Sequence, residues 1–225
     1  LAVADRVLSA RARLDLPPAS RADVAIAAAV EPDEVVPAGF AGLAPAFAPL
    51  AAVDAPVALT ATAALGPDLV PREGRLVARM GAGGLRVAKG RVPVLGGDAE
   101  IEGTRDEMRL ALRRLALPRA GGETVVTGRA SLRPVAGMLE GRLDLRLDEV
   151  GFADLAALWP DGVAGPGAKA WITGNITAGV ARDLRVEMRM IATPDLSDGE
   201  VTHLAGSLEG RDMVVHWLRP VPPAE

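Results

Sequence analysis

The stretch Leu139-Glu140-Gly141-Arg142-Leu143-Asp144-Leu145-Arg146-Leu147 alternates apolar and charged residues with a period of two. Successive side chains of a β-strand point to opposite faces of its sheet, so this period predicts a strand with one apolar and one charged face. The apolar side of this strand carries Leu139, Leu143, Leu145 and Leu147. The stretch therefore predicts a sheet that is apolar on one face only.

The same alternation runs through much of the chain. In the stretch 108–117, one side carries Met108, Leu110 and Leu112, and the pattern resumes at Leu115 and Leu117. The pair Arg113-Arg114 inserts one extra residue that preserves the facing, which is what a β-bulge does. Near the start of the chain, Leu14 and Leu16 fall on one side of a similar stretch. Further alternating runs lie at 23–30, 57–64, 75–80, 125–132, 184–190, 201–208 and 213–218.

Glycine-rich turn signals separate most of these runs. They lie at 81–84, 96–97, 121–122, 198–199 and 210–212. The 81–84 segment is interpreted as a hairpin turn. Strands that recur every 10–15 residues, roughly, with short turns between them are typical of an antiparallel meander. We therefore predict a mainly β fold, a long antiparallel meander that forms a curved, trough-like sheet or an open β-sandwich.

A short helix pair interrupts the meander. The first helix is predicted at 152–159 and ends before Pro160, because a residue before proline disfavours the α region. The second is predicted at 166–172, with a proline in its first turn and Gly174 as its C-terminal stop. Trp159 and Trp171 flank the loop between the helices and are expected to anchor the pair on the sheet as core residues. The alternative is that the tryptophans form an aromatic edge at a lipid groove or membrane interface. An alanine-rich stretch at 40–50 is a further candidate for a short helix.

The organisation of the chain follows from the position of this pair. Residues 1–150 are predicted to form an antiparallel sheet, residues 151–180 the helix pair with its Trp/Pro motif, and residues 181–225 further strands. We interpret the three parts as one continuous domain and as a fragment of a larger protein.

Composition excludes several classes of protein. The 225 residues are 49% hydrophobic but only 3% aromatic, with no cysteine and a net charge of −4. The absence of cysteine excludes a disulfide scaffold, a cysteine-ligated zinc site and a thiol nucleophile. Mixed charges of both signs argue against a nucleic-acid partner, because a protein that binds nucleic acid usually carries a stripe of basic residues. The sequence contains no run of eighteen apolar residues, so it predicts no membrane-spanning helix.

Candidate catalytic and metal-binding residues are few. The two histidines, His203 and His216, are far apart and lack a metal-ligand spacing. The carboxylates of Asp98, Glu100 and Glu102 alternate along one strand face and could hold calcium, although a solvated outer face is the favoured interpretation. We therefore expect no catalytic residue, no metal and no cofactor, and predict that the chain is not an enzyme.

The helix pair carries a resemblance to a known family. The relevant segments are Asp154-Leu155-Ala156-Ala157-Leu158-Trp159-Pro160, Pro166-Gly167-Ala168-Lys169-Ala170-Trp171-Ile172 and Asn175-Ile176-Thr177-Ala178-Gly179. They resemble the leucine-tryptophan-proline, alanine-arginine-tryptophan-isoleucine and asparagine-isoleucine pattern of the YhdP-type proteins of the AsmA-like superfamily. Lys169 is the basic residue before the tryptophan, with Ala170 between the two. The segment 208–223 also resembles the one that follows in that family, so the specific likeness covers about 150–223.

The resemblance implies a place and a function. Proteins of this family, in Gram-negative bacteria, are anchored in the inner membrane by one N-terminal helix and extend through the periplasm as a long, apolar-lined trough. They are implicated in moving phospholipid between the inner and outer membranes. The chain would then be an internal periplasmic segment whose partner is phospholipid or another acyl-chain lipid, and it would meet membranes through other parts of the full-length protein. The family carries no catalytic residues over to this chain.

Two functions remain open from sequence. The first is a hydrophobic groove for lipid, lined by Leu14, Leu16, Met108, Leu110, Leu112, Leu115, Leu117, Leu139, Leu143, Leu145 and Leu147, with Trp159, Pro160, Trp171 and Asn175 as the structural motif. The second is a scaffold β-domain in envelope biogenesis or outer-membrane protein assembly, whose sheets cover each other. The two differ in whether the apolar faces of 139–147 and 108–117 line an open groove or a closed core.

Overall fold

The computed structural model describes residues 2–3, 6–7, 10–15, 24–30, 35–42, 50–65, 71–87, 90–159, 167–194 and 198–216. For the strands before residue 31, the description covers the backbone and its pairing. The expected groove residue Leu16, the motif residue Pro160 and most of the candidate helix at 40–50 lie outside the described residues.

Ten strands form one antiparallel sheet, as the alternation predicted. In chain order they are β3 (Ala10–Asp15), β4 (Val24–Val30), β6 (Val57–Leu65), β7 (Pro71–Met80), β10 (Gly96–Thr104), β11 (Met108–Arg119), β12 (Gly122–Val135), β13 (Met138–Gly151), β14 (Ile176–Ala192) and β15 (Gly199–Val215). Their order across the sheet is β15-β14-β13-β12-β11-β10-β7-β6-β4-β3. The sheet is open, because its two edge strands β3 and β15 do not pair with each other. The predicted mainly β meander is confirmed.

Smaller elements stand beside this sheet. A three-stranded sheet contains β5 (Val53–Asp54), β8 (Gly83–Val87) and β9 (Gly90–Val94), and a two-stranded one contains β1 (Ala2–Val3) and β2 (Arg6–Val7). A 3-10 helix spans Pro37–Phe40. The helix pair lies between β13 and β14, as α1 (Leu155–Leu158) and α2 (Ala168–Asn175).

Two buried clusters form the core of the described chain. One joins Val92, Val94, Leu117 and Val126, and brings β9 against β11 and β12. The other joins Val150, Phe152, Ile176 and Ala181 at the end of β13 and β14, where residues of α1 and α2 pack against it. The core therefore lies at one end of the strands, where the small sheet and the helix pair meet the large sheet.

The hairpin turn predicted at 81–84 is wrong. Both neighbours of β7 in the sheet are already taken, by β6 and β10, so the chain leaves the large sheet and β8 pairs with β5 and β9 instead. Gly83 does not form a turn but lets two strands lie close together, since a Cβ there would lie 2.4 Å from the backbone oxygen of Asp54. The small residue allows the β5 backbone to pass.

The turn predicted at 210–212 is also wrong. β15 continues through these residues and pairs with β14 on both sides of them. The irregularity is absorbed inside the pairing, where Asp212 has φ 52° and Gly179 of the opposite strand has φ +101°. A Cβ on Gly179 would lie 2.6 Å from the backbone oxygen of Arg211, so glycine is needed for this close passage.

The helix pair is confirmed, but two details of it are wrong. α2 runs through Gly174 to Asn175 and stops because Ile176 is extended, so the helix ends without a left-handed glycine. Trp171 exposes 48% of its surface and is therefore not the core anchor that was expected. Phe152 and Ile172 contact the sheet end instead.

Candidate functional site

One apolar row crosses the large sheet from edge to edge. Residues directly opposite each other in paired strands share a face, so the register identifies each row. The central row is Ala12–Ala28–Ala61–Leu76–Ile101–Leu110–Ala130–Leu143–Met188–Leu204. It contains no polar residue in any of the ten strands.

Two further rows flank the central one and are equally free of polar residues. One is Ala10–Val30–Leu59–Ala78–Ala99–Leu112–Gly128–Leu145–Val186–Gly206. The other is Leu14–Ile26–Ala63–Gly74–Gly103–Met108–Leu132–Gly141–Met190–Val201. Nine strand spacings of about 4.8 Å make each row about 43 Å long. The three rows define what we name the apolar face.

The register brings the predicted groove residues together. Met108, Leu110, Leu112, Leu143, Leu145 and Leu14 lie in the three rows. A fourth, shorter row contains Leu115 and Leu147 together with Val57, Met80, Gly97, Val126 and Leu184. Leu117 follows Leu115 on β11, and Leu139 lies opposite Pro134 and Ala192 at the other end. Their role in holding a ligand stays a prediction.

A β-bulge keeps β11 in phase with its neighbours. The pairing of β11 with β12 shifts between Leu112 and Leu115, at the expected Arg113-Arg114 pair. Because the extra residue is absorbed there, the leucines on both sides of the bulge face the same way. If the extra residue were not absorbed in a bulge, Leu115 would point to the charged face.

Two of the glycines on the apolar face, Gly128 and Gly141, are covered by neighbouring side chains. Gly128 lies directly opposite Leu145, and a Cβ on Gly128 would meet the Leu145 Cδ2 at 2.6 Å. A Cβ on Gly141 would meet the Met190 Cγ at 2.6 Å. The side chains of Leu145 and Met190 thus lie over these two glycines.

Much of the apolar face is open to solvent. Met108, Leu204 and Val201 are 45, 50 and 52% exposed. No described member of the central row is fully buried, and none belongs to a buried cluster. The other described members of the central row are half-buried, so this region is an aliphatic surface that is partly open to solvent.

The other end of the apolar face is covered. Val92 and Val94 of β9 are 6 and 3% exposed and join the cluster of Leu117 and Val126. Around that cluster pack Met80, Leu85, Leu112, Leu115, Leu145, Leu147 and Leu158. The predicted groove residues differ in whether they contact this cluster. Leu117 is buried in it and the half-buried Leu112, Leu115, Leu145 and Leu147 pack against it, whereas the exposed Met108 and the half-buried Leu110, Leu139 and Leu143 do not.

An ionic triad marks the covered end. Glu149 follows Leu147 on the same face of β13, and its two carboxylate oxygens accept hydrogen bonds from Arg119 Nη1 at 2.5 Å and Arg182 Nε at 2.6 Å. The hydrogen bond from Arg182, with that from Arg119, lowers the pKa of Glu149 from 4.5 although burial opposes the shift. The hydroxyl of Thr124, which is fully buried, donates to the Glu149 backbone oxygen at 2.6 Å. The triad keeps charge at the end of the apolar rows.

The opposite face of the sheet is charged, and its pairing is unusual. Arg142 on β13 lies directly opposite Arg189 on β14, and in the next row Asp144 lies opposite Glu187. Like charges directly opposite each other destabilise a sheet. Along β13 and β14 the charges alternate in sign, so that like charges meet across this pair of strands. Other strands of the face do pair opposite charges directly, as Glu102 does with Arg75 and Arg109.

Glu100 is the buried carboxylate of this charged face. Its side chain is 8% exposed and accepts hydrogen bonds from Arg113 and Arg75. These bonds, that from Arg113 first, lower the pKa of Glu100 from 4.5. The expected solvated row therefore holds one buried, ionised carboxylate. A carboxylate held in this way is a poor general acid or base, because both roles call for a pKa nearer neutrality.

Other candidates for chemistry are not assembled into a site. Among the described residues, no group of three His, Cys, Asp or Glu side chains could hold a metal ion. His203 is exposed on β15, while His216 Nε2 lies 3.1 Å from Thr177 Oγ1. The motif residue Asn175 donates from its side chain to the Trp171 backbone oxygen at 2.7 Å and so closes α2. That the chain is not an enzyme stays a prediction.

Sequence reasoning missed several residues of this face. Met188 and Met190 follow the alternation of β14, and that period alone identifies them. Val92 and Val94 could not be found in this way, because the cover they form comes from a separate sheet. The partners Arg119 and Arg182 of Glu149 depend on a register that only the folded sheet defines.

Within the residues described, no helix is long and apolar enough to cross a bilayer. Comparisons of the chain with protein-family models, curated proteins and solved structures yield no match.

Proposed function

We propose that this chain holds lipid acyl chains on its apolar face, as a non-catalytic periplasmic segment of an AsmA-like envelope protein that moves phospholipid between membranes. The observation that carries the proposal is the set of three rows, each crossing ten strands without a polar residue. The resemblance of the helix-pair motif to the YhdP-type proteins points in the same direction.

The chemistry of the surface favours an acyl chain over a protein partner. The described members of the three rows are aliphatic residues, methionine and glycine. Protein interfaces rely instead on aromatic and arginine anchors with hydrogen-bonding groups around them. A surface with neither aromatic nor polar groups binds through burial alone, at about 25 cal/mol per Å² of apolar area.

The dimensions of the surface suit a lipid tail. The rows extend for about 43 Å across the strands, which leaves room for a fully extended chain. Exposed side chains such as Met108 and Leu204 lose unfavourable contact with water when such a chain covers them. Headgroups need no partner on this face, so the proposal predicts binding without strong headgroup selectivity.

A pair of adjacent substitutions tests the proposal. Leu110→Glu places a carboxylate in the central row, whereas Ala111→Glu places it on the charged face between Glu100 and Arg129. Binding of a photoreactive diazirine palmitate from phosphatidylcholine vesicles is measured for both variants, with circular dichroism as the check on folding. We expect Leu110→Glu to abolish labelling and Ala111→Glu to keep it.

Other results would overturn the proposal. Equal labelling of both variants, or labelling of the unaltered chain on charged-face residues, shows that the palmitate does not use the apolar rows. An unaltered chain that takes up no palmitate, with the native sheet intact, favours the scaffold role instead.

A further inference from the structure

The turn that joins β12 to β13 contains no polar side chain. Its residues, which we name the apolar tip, are Pro134-Val135-Ala136-Gly137-Met138-Leu139. Val135 and Met138 are 37 and 38% exposed, and Pro134 beside them is exposed as well. Surface turns are usually rich in polar residues such as Asn, Asp and Ser. The apolar tip therefore exposes aliphatic side chains at a place where polar ones are expected.

The apolar tip departs from the alternation of its own two strands. Arg133 and Glu140 lie opposite each other on the charged face, and the next pair on that face is Val135 and Met138. Ile191 on β14, directly opposite Glu140, is a further apolar residue at a charged-face position and is 39% exposed. At this end of the strands the sheet is therefore apolar on both faces.

The backbone of the turn favours a polar residue that the sequence does not supply. Ala136 and Gly137 have φ 52° and +82°, two positive angles as in a type I′ hairpin turn. Asn, Asp or Gly is preferred at the first position, because a Cβ is strained there. Local strain of this kind is typical of functional positions. Alanine keeps the apolar tip free of polar groups at a cost to the turn itself.

The neighbouring turn at the same end of the sheet is polar. It joins β10 to β11 at residues 104–107, where the backbone amides of Asp106 and Glu107 donate to the Thr104 hydroxyl at 3.3 and 3.2 Å. β11 begins beside the end of β12, so the two turns are neighbours. Position at this end of the sheet thus does not explain why the apolar tip lacks polar residues.

Two arginines without an ion pair lie behind the apolar tip on the charged face. Arg142 and Arg189 are exposed and directly opposite each other, and neither forms an ion pair within the described part of the chain. With Ser131 they help to line a depression of about 350 Å³. The carboxylates of Asp144 and Glu187 belong to the next row, farther from the tip. Adjacent guanidinium groups suit a phosphate, which accepts several charge-assisted hydrogen bonds.

The spacing of these features matches the depth of a bilayer surface. The apolar tip extends for three residues on each strand, about 10 Å, and interfacial elements bury their apolar part about 5–10 Å deep. Arg142 lies three residues behind Leu139, again about 10 Å. Because the headgroup layer on each side of a bilayer is roughly 5–7 Å thick, the two arginines would lie at its outer edge.

A bilayer explains the apolar tip better than a groove on a protein does. Protein interfaces rely on aromatic and arginine anchors with hydrogen-bonding groups around them, and the tip contains neither. A bilayer surrounds an inserted hairpin on both faces and requires that its backbone be paired internally. The pairing of Val135 with Met138 meets that requirement up to the turn.

We propose that the apolar tip inserts into the surface of an anionic phospholipid bilayer and that Arg142 and Arg189 bind lipid phosphates behind it. The inference goes beyond the proposed function, because docking on a membrane does not require acyl chains on the apolar face. Pro134 and Leu139 continue the apolar face toward the turn, so docking also brings that face next to the lipid.

An environment-sensitive fluorophore tests insertion, and the chain has no cysteine to interfere. The fluorophore NBD is attached through Met138→Cys in the apolar tip, or through Ala120→Cys in the exposed turn between β11 and β12 at the other end of the sheet. Vesicles of phosphatidylcholine and phosphatidylglycerol are added to the full chain. We expect the emission at position 138 to shift to the blue and to be quenched by lipid-borne spin labels, and the emission at position 120 to stay unchanged.

Charge substitutions give an independent measurement. Val135→Asp combined with Met138→Asp places carboxylates in the apolar tip, whereas Ala120→Asp places one in the opposite turn. Loss of one buried branched aliphatic side chain is enough to lower a partition coefficient about tenfold, so we expect the tip variant to sediment with vesicles at least about tenfold more weakly. Ala120→Asp should bind like the unaltered chain. Circular dichroism checks folding, and if the tip variant does not fold, the NBD emission decides.

The arginines are tested by a matched pair of double variants. Arg142→Gln with Arg189→Gln removes the pair behind the tip, whereas Arg146→Gln with Arg185→Gln removes another directly opposed pair of arginines on the same two strands. The second pair lies four residues, about 13 Å, farther from the tip, beyond the Debye length of about 8 Å at physiological salt. We expect only the first variant to lose the preference for phosphatidylglycerol vesicles over pure phosphatidylcholine.

Other results would overturn the inference. Emission at position 138 that vesicles leave unchanged excludes insertion, as does equal sedimentation of the folded tip variant and the unaltered chain. An equal preference for phosphatidylglycerol in both arginine variants rules out the phosphate contact. A blue shift that grows with protein concentration in the absence of vesicles shows docking on a second copy of the chain instead. Failure of docking, with palmitate still bound to the apolar rows, leaves the proposed function standing.

Discussion

Gly128 on β12 lies directly opposite Leu145 on β13, and the leucine side chain covers the space that a Cβ on the glycine would need. The contact is not confined to that flexible side chain, because the same Cβ would lie 2.5 Å from the Asp144 backbone oxygen. The close pairing of these two strands therefore depends on glycine at this position.

We expect Gly128→Ala to lower the free energy of unfolding by about 1–3 kcal/mol, the usual cost of overpacking against groups that cannot move. The matched control is Gly141→Ala, whose new Cβ would lie 2.6 Å from the Met190 Cγ and 3.2 Å from the Leu132 Cδ2, which are side-chain atoms and not backbone. That variant should change stability by less than about 1 kcal/mol. Urea unfolding measures both, and equal losses would contradict the role given to the Asp144 backbone.

Stability should fall in acid because of three ion-paired carboxylates. Hydrogen bonds from Arg113 and Arg75 lower the pKa of Glu100, those from Arg182 and Arg119 lower the pKa of Glu149, and that from Arg146 lowers the pKa of Asp183. The unfolded chain then binds more protons than the folded one as pH falls below the ordinary values of 4.5 and 3.8. Their contribution is complete above those values and is lost as pH drops through the lowered ones.

The measurement for this prediction is the unfolding midpoint in urea from pH 7 to pH 3. Glu100→Gln and Glu149→Gln should each flatten the decline below pH 4.5, while Glu102→Gln on the same face serves as the exposed control. A decline that is equally steep in the double variant would show that other groups cause the acid sensitivity.

Replacement of one arginine of the like-charged pair should stabilise the sheet. Arg189→Glu places a carboxylate directly opposite Arg142, and such cross-strand pairs contribute about 0.2–1 kcal/mol. Arg189→Ala, which only removes repulsion, should give a smaller gain. Thermal unfolding at low and high salt measures both, and a loss of stability in Arg189→Glu would contradict the assignment of these residues to one row.

The edge strand β15 should exchange its amide hydrogens faster than the central strands. Residues 199–214 are exposed, and only one side of the strand is paired within the described sheet. Segments with few buried contacts open locally at low free-energy cost. Hydrogen exchange should therefore proceed faster in β15 than in β13, and equal protection would indicate that another chain or segment covers the edge.

The large sheet could be predicted because its signal is local. Period-two alternation in a stretch such as Leu139–Leu147 depends only on which face each residue takes, and the bulge at Arg113-Arg114 was visible as one surplus residue. Contacts between side chains that only the strand register brings together have no such local signal in the sequence. Nothing near Glu149 in sequence indicates that Arg119 and Arg182 meet it, because those contacts depend on how long strands align.

Glycine caused the two wrong turn predictions, since this residue serves two purposes. At 81–84 and 210–212 glycine predicts a turn, but Gly83 admits the β5 backbone and Gly210 lies within β15. Close approach and left-handed turns select the same residue type. Because of this ambiguity, the sequence does not predict the small sheet that covers part of the apolar face.

The like-charged rows of β13 and β14 have a consequence for folding. A slip of two residues would place Arg142 opposite Glu187 and Asp144 opposite Arg185, so charge pairing alone favours the misaligned sheet. The helix pair joins these strands without a tight turn to set their alignment. The slip would put Leu147 opposite Arg182 and separate Glu149 from Arg182, and it would also part Val150 from Ala181 in the buried cluster. The ion pair and the cluster at the strand end therefore favour the native alignment over one that the other charges of these two strands would prefer.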